Sequence, residues 1–369
     1  MSSLIGIVSS DPSCEEQIIV SGTHVESDFG DTYKEIEADG FTISQKIKIL
    51  GNDSSSLSIV KAIGTGISRY GEALKELSPD IAVVVGDRFE SLAFVIACYF
   101  SHIPVAHLAG GKVTEGSLDD STRHAITKFS HFHFAGNETY RQRIIQLGES
   151  PENVYCFGTF GIEAIKRTSL LTRSELEQSL HFSLKKRNLL ITFHPEINTN
   201  LSITKQCEQL LESLTHFLNI DTLIIFTMPN ADEGSTEVSN PIKDFCLKNS
   251  NAIWFYSLGA TRYFSLLPHI NSVIGNSSSF IYEVPYFRKP SVNIGRRQDG
   301  RIEIPTIIDC NNSVSEITSA INKSLSTTFI EHTLSCHLPI DSEDTFEKIF
   351  KILKNISLDS LLYKKFHDF

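Results

Sequence analysis

The stretch Val273-Ile274-Gly275-Asn276-Ser277-Ser278-Ser279-Phe280-Ile281-Tyr282-Glu283-Val284-Pro285-Tyr286-Phe287 reads as an apolar strand passing through a turn of small residues into a helical pattern, Phe280 to Phe287. At a strand-to-helix turn the backbone N–H groups are unpaired and the helix dipole adds partial positive charge. A diphosphate can therefore bind there without a lysine, which points to a nucleotide. An ordinary serine-rich helix N-cap accounts for the segment equally well, so its surroundings must separate the two readings. Downstream, Ser291-Val292-Asn293-Ile294 is a second short apolar run, and it ends in Gly295-Arg296-Arg297-Gln298-Asp299-Gly300-Arg301. Polar loops at strand ends are where α/β proteins bind ligands.

The same alternation runs along the whole chain. Apolar, β-rich runs at Gln17–Val20, Ile81–Val85, Val105–Leu108, His131–Ala135, Leu189–Phe193, Leu223–Thr227, Ser272–Ile274 and Ser291–Ile294 are separated by helical patterns. Most are nearly continuous in apolar residues, as expected for parallel strands covered by helices on both faces. A chain of 369 residues with 41% hydrophobic content can build two cores. The pattern turns helical and charged between Cys156 and Leu189, which places a boundary near Ile165 to Glu175. The predicted fold class is α/β, with two doubly wound, Rossmann-like domains. A net charge of −11 argues against a nucleic-acid or anionic-membrane surface. Seven scattered cysteines without a C-x-x-C pair read as reduced thiols of a cytoplasmic protein. No run approaches the ~18 apolar residues of a membrane span. His131 and His133 alternate on one strand, but no third metal ligand is evident beside them.

Several short motifs share one order along the chain. They are Ser21-Gly22-Thr23-His24 with Gly30-Asp31-Thr32-Tyr33, Gly86-Asp87-Arg88, Asp119-Asp120 with Arg123-His124-Ala125-Ile126-Thr127-Lys128, His194-Pro195, Pro229-Asn230-Ala231-Asp232, and the two segments above. In this order they resemble the hydrolysing UDP-N-acetylglucosamine 2-epimerase family, including the diacetamido-bacillosamine-nucleotide 2-epimerases of nonulosonate synthesis. The resemblance implies a glycosyltransferase-B (GT-B) arrangement: residues 1–168 and 169–341 as the two domains, and 342–369 as a helix and tail crossing back to the first. That helix is expected within Ser342 to Ile356, with Leu358–Leu362 as its tail. The resemblance further implies a UDP-sugar substrate, UDP as product, no metal or other cofactor, and a homo-oligomer, either dimer or tetramer. The closing Tyr363–Phe369 is similar to relatives acting on diacetamido-bacillosamine nucleotides.

Each candidate residue also has a plain structural reading. Asp87 ends a buried run, where ligand contacts concentrate, although a turn-capping aspartate fits too; the resemblance implies a catalytic acid. Asp119 and Asp120 favour a helix N-terminus by charge alone, yet helical spacing lets Asp120 face His124 and Asp119 face Arg123, and the family's second acid maps onto this pair. His194 follows a strand and can contact a diphosphate or move a proton. The resemblance assigns the nucleotide grip to Asn276, Ser277, Ser278 and Glu283, lines the same pocket with Gln298 and Arg301, puts Asn230 and Asp232 on the sugar side, and adds His24, Arg88 and Arg123 as binding residues.

Two departures from the family stand out. The chain starts inside what should be the first helix, so a central strand and one arginine contact are expected to be absent. In His107-Leu108-Ala109-Gly110-Gly111-Lys112 a lysine stands where hydrolysing relatives have a glutamate. Lys112 can serve as a base only if its pKa falls several units below ~10.4; otherwise the chain should be slow or inactive. Glu115, three residues on, is a candidate substitute for the lost acid. A smaller departure is Phe280, where many relatives have glycine. Two other readings stay open: a GT-B glycosyltransferase, and a nucleotide-sugar-binding homologue without turnover.

Overall fold

The structure is a computed structural model that describes all residues except 52, 54, 116, 198, 339–342, 358–362 and 369. The expected tail Leu358–Leu362 and the expected first residue of the last helix, Ser342, therefore lie outside the described residues. Twelve strands run in chain order: β1 Ile19–Ser21, β2 Gln45–Ile47, β3 Ala82–Val85, β4 Val105–Leu108, β5 Phe132–Ala135, β6 Val154–Cys156, β7 Arg187–Thr192, β8 Thr222–Thr227, β9 Ala252–Phe255, β10 Ser272–Gly275, β11 Ser291–Ile294 and β12 Ile307–Cys310. Every pairing among them is parallel. The molecule is a two-domain α/β protein with the GT-B arrangement.

The second sheet has the order β12-β11-β10-β7-β8-β9. Its connections leave β7 and β10 in opposite directions, so the crevice beyond the carboxyl ends of these two strands is a topological switch point, where doubly wound folds bind ligands. Two cores cover its faces: Leu189, Ile191, Phe226 and Ile274 on one side, and Leu190, Ile225, Val273 and Phe280 on the other. Such fully buried side chains contribute roughly 1.5–3 kcal/mol each. In the first domain β3-β4-β5-β6 form one sheet and β1-β2 a separate pair, and among the described residues no strand joins them. Both pieces share one core through Ile47, Tyr70, Val84 and Val105.

The domains also meet directly. Tyr140 and Tyr282 bring their hydroxyls to 3.1 Å within a mixed cluster that includes Ile144 and Ile304. The helix Thr345–Asn355 packs against the helices Ser2–Ser9 and Phe160–Arg167. In the last of these, Phe160 stacks on Phe346, whereas Ile162 and Ile165 join the core under the six-stranded sheet. No described helix is long and apolar enough to cross a membrane.

One local expectation is corrected. Phe280 to Phe287 is not a regular helix but a 3₁₀ turn, Ser278–Ile281, followed by a four-residue helix, Glu283–Tyr286. Tyr282 breaks the run with φ −127° and ψ −59°, and Pro285 has no N–H to extend the ladder. The serines therefore head a tight turn, and the dipole available to them is smaller than a full helix would supply.

Candidate functional site

Gly275 determines how closely the two central strands approach. Its φ is +136°, and a Cβ built there would lie 1.9 Å from the Thr192 carbonyl oxygen, so only glycine lets β10 end against β7. The next residue locks that junction. The Asn276 Oδ1 accepts from the His194 N–H at 2.7 Å, and its Nδ2 donates to the His194 carbonyl at 2.9 Å. The Asn276 carbonyl in turn accepts from Gln298 Nε2 at 2.7 Å and Arg297 Nη1 at 3.3 Å. Asn276 is fully buried and acts as a bracket joining three loops. Beyond it, Ser277 Oγ accepts from the Ser279 N–H at 3.3 Å, Ser279 Oγ lies 2.7 Å from the Tyr263 hydroxyl, and Ser278 is exposed.

Asp87 sits just past β3. Burial alone would raise its carboxyl pKa, but Arg123 outweighs this and holds it below the ordinary value, with Nε at 3.0 Å and Nη2 at 2.5 Å. Arg123 is itself fully buried. Its Nη1 donates to Asp120 Oδ1 at 3.0 Å and to the Lys112 carbonyl at 2.9 Å, and its Nη2 to Thr114 Oγ1 at 2.9 Å. The helix Asp119–Phe129 carries this arginine. Asp120 Oδ2 approaches His124 Nε2 at 3.5 Å, as the spacing predicts. Asp119 differs from expectation: its partner is Arg297 of the other domain, at 3.5 Å, rather than Arg123. The first turn of the helix faces the cleft, so a cross-domain partner displaces the one a helical wheel suggests. Burial, with Asp87 and Asp232 nearby, pushes the Asp119 carboxyl up to about 6.

A second ionic cluster bridges the domains. Arg88 grips Glu90 through Nε and Nη2, both at 3.2 Å, and reaches Asp232 with Nη1 at 2.7 Å. Asp232 also lies 3.6 Å from His194 Nδ1 and 3.9 Å from Arg297 Nη2. Against the desolvation that would raise it, Arg88 foremost, with His194 and Arg297 beside it, holds Asp232 ionised. Burial, reinforced by Arg297, lowers the pKa of His194. Arg88 is thus the principal cation on Asp232, while Glu90 is the principal anion on Arg88. Asn230 is exposed beside them, and His24 bonds Thr32 through Nδ1 at 2.7 Å.

Lys112 lies where its proton is held weakly. Burial, then the charge of Arg301, lowers its pKa to about 7, although Asp87 pulls the other way. Its Nζ stands 4.9 Å from the centroid of the Tyr282 ring. Glu283 is half-buried, has a buried Oε2 without a hydrogen-bond partner, and is pushed up to about 7 by desolvation. Arg301 holds Nε and Nη1 buried and unbonded, and Gln298 Oε1 is unbonded too. Glu115 is exposed on a turn, and its N–H donates to the Asp299 carbonyl at 3.0 Å.

Sequence reasoning missed Arg297 and Glu196. Nothing in Arg296-Arg297 tells which residue turns inward, yet Arg296 is 79% exposed and Arg297 11%. Glu196 decides it, because its Oε1 accepts the N–H groups of Arg296 and Arg297 at 3.0 and 2.9 Å and fixes the loop. The two strand histidines are engaged within the protein: His131 Nδ1 accepts from the Val105 N–H at 3.1 Å, and His133 Nε2 lies 3.0 Å from Glu149.

Comparison with known proteins gives this geometry a family. Residues 7–354 match the family model described as UDP-N-acetylglucosamine 2-epimerase. The GDP/UDP-N,N'-diacetylbacillosamine 2-epimerase (hydrolyzing) of Campylobacter jejuni is 38% identical, over 98% of this chain and 93% of its own. The polysialic acid biosynthesis protein P7 of Escherichia coli is 32% identical, over 99% and 93%. In three dimensions the chain superimposes on the UDP-GlcNAc 2-epimerase of Neisseria meningitidis, solved bound to UDP-GlcNAc, with a TM-score of 0.77, 17% identity and 96% of each chain covered. With most of its length matched and its fold shared, the chain belongs to the UDP-N-acetylglucosamine 2-epimerase family.

Proposed function

We propose that the protein is a hydrolysing 2-epimerase of a UDP-N-acetylhexosamine, converting UDP-N-acetylglucosamine or its diacetamido-bacillosamine counterpart into the free 2-epimer and UDP. The reading rests above all on one juxtaposition. A small-residue turn suited to a diphosphate shares its cleft with carboxyls whose proton affinities are driven apart, Asp87 downward and Asp119 up to about 6. Divergent pKa values of this kind mark base and acid roles.

In the proposed reaction a base takes the proton from C2 of the sugar while the C1–O bond to the diphosphate breaks, its electron pair leaving with UDP. A glycal with a C1–C2 double bond remains. Water then adds a hydroxyl at C1, and a proton returns to C2 on the opposite face. Ionised Asp87 and neutral Lys112 are the proton acceptors, and Asp119, partly protonated near neutrality, is the donor. Asp120 fixes Arg123, which orients Asp87. Ser277, Ser278 and the loop N–H groups hold the diphosphate, with Arg297 and His194 beside it. The unbonded Glu283 Oε2 suits a ribose hydroxyl, which would supply the missing donor.

Proton NMR in D2O with each candidate sugar nucleotide tests the proposal. Loss of the C2 proton signal and release of a free 2-epimer are expected without any acceptor. Nucleotide release only when an acceptor is added would instead identify a glycosyltransferase. Calorimetric UDP binding without turnover of any candidate would identify a binding homologue.

A further inference from the structure

The end of the chain returns to the first domain and docks at the far end of the helix that carries the acids. Lys364 Nζ donates to the Ser130 carbonyl and, at 2.9 Å, to the Lys128 carbonyl, and it pairs with Glu149 Oε2 at 2.6 Å. The Glu149 side chain is 3% exposed and the adjoining His133 is fully buried. The last carbonyls of a helix lack intrahelical partners and carry partial negative charge, so a cation placed on them is favoured. Two residues on, the Phe366 ring rests on Gly148, where a Cβ would lie 2.3 Å from its Cε2, and the His367 N–H donates to the Gly148 carbonyl at 3.0 Å. Gly148 has φ +85°, so the notch needs glycine twice over.

We propose that Tyr363–Asp368 is a clasp and that Lys364 is a positioning residue, setting the placement of the helix Asp119–Phe129 and through it the proton-transfer groups. The clasp grips the carboxyl end of the helix, whereas Asp119 and Asp120 occupy its amino end, about 12 Å away at 1.5 Å per residue, and Arg123 lies between. A second line runs from the gripped end toward Asp87. Thr127 Oγ1 lies 3.3 Å from His107 Nδ1, and His107 Nε2 lies 2.8 Å from the carbonyl of Gly86, the residue before Asp87. Lys364 and Phe366 make their contacts at residues 127–130 and 148–149 of the first domain, so the clasp acts from the sugar side of the cleft.

The catalytic consequence rests on the function proposed above; the clasp itself does not. The test uses the full chain with Lys364→Ala, Lys364→Arg and Phe366→Ala. In Lys364→Ala, amide hydrogen exchange across Asp119–Phe129 is expected to quicken about tenfold, the scale of losing a charge-assisted bond. Affinity for UDP should stay within about twofold, while affinity for UDP-N-acetylglucosamine and the turnover number each fall about tenfold, since small misplacements of reacting groups are costly. Lys364→Arg should restore most of both, and Phe366→Ala should fall between. Unchanged exchange in both alanine variants overturns the clasp. Faster exchange with unchanged sugar-nucleotide affinity and unchanged turnover overturns the positioning role. If the wild type turns over no sugar nucleotide, the epimerase reading fails, and exchange together with the ratio of UDP-N-acetylglucosamine to UDP affinity still decides the clasp.

Discussion

Lys112 offers the sharpest test of the proposed chemistry. An amine accepts a proton only when neutral, and at its ordinary pKa of 10.5 a lysine would be almost wholly charged at pH 7. Burial and Arg301 bring it to about 7, so the neutral fraction is about one half at pH 7, about a tenth at pH 6 and about nine-tenths at pH 8. The step limited by this base should therefore quicken roughly ninefold between pH 6 and pH 8 relative to a variant whose base does not titrate there, the Asp119 donor, with its carboxyl at about 6, declining in both alike. Lys112→Met removes the base and should lower turnover by roughly 10²–10⁴-fold, the usual worth of a positioned acid or base. Lys112→Glu restores a carboxylate next to Arg301, whose Nε and Nη1 are buried without partners. That variant should match or exceed the wild type at pH 6 and lose the rise toward pH 8, its group being deprotonated across the range. Initial rates of free-sugar release by NMR at each pH provide the assay. A brisk Lys112→Met enzyme, or an unchanged pH limb in Lys112→Glu, would refute the assignment. The same shift affects stability. The folded lysine binds its proton more weakly than the unfolded one, so between about pH 7 and 10.5 the unfolded state carries more protons and stability rises with pH. Lys112→Met should flatten that rise in denaturant titrations.

Three further outcomes are expected. UDP should raise the melting temperature by mass action, and Ser277→Ala with Ser278→Ala should largely abolish the shift; a full shift in the double variant would place the nucleotide elsewhere. Asp87→Asn should cut turnover about a hundredfold or more with UDP affinity nearly intact, and a variant that keeps most of its rate would make Asp87 a structural cap. Gly275→Ala, whose Cβ would sit 1.9 Å from the Thr192 carbonyl oxygen, should cost roughly 3 kcal/mol or more in urea unfolding; a cost under about 1 kcal/mol would show that β10 can back away from β7.

What the sequence could and could not convey follows from how far each signal reaches. The strands β4 and β11 are legible to the residue because each begins directly after a proline, at Val105 and Ser291, and ends before a glycine-containing turn, with every position of the short run buried. The three-residue strands β2 and β6 escape, since Gln45-Lys46-Ile47 and Val154-Tyr155-Cys156 are too short and too mixed to carry a period. The pair Asp120 and His124 is legible because both lie on one helix, one turn apart. Arg297 with Asp119, and Arg88 with Asp232, are not, because each joins residues more than a hundred positions apart that meet only when the two domains close on each other. The Lys112 side chain shows the limit most clearly. Its departure from the family was visible in Gly110-Gly111-Lys112, but whether it is a lost acid or a working base depends on burial and on Arg301, which comes from the other domain. A catalytic group in a two-domain cleft has its identity written locally and its proton affinity set at a distance. Substituting Arg301 is therefore as direct a probe of Lys112 as substituting Lys112 itself: Arg301→Gln removes the neighbouring cation and should move the pH limb of turnover upward, toward the ordinary lysine range.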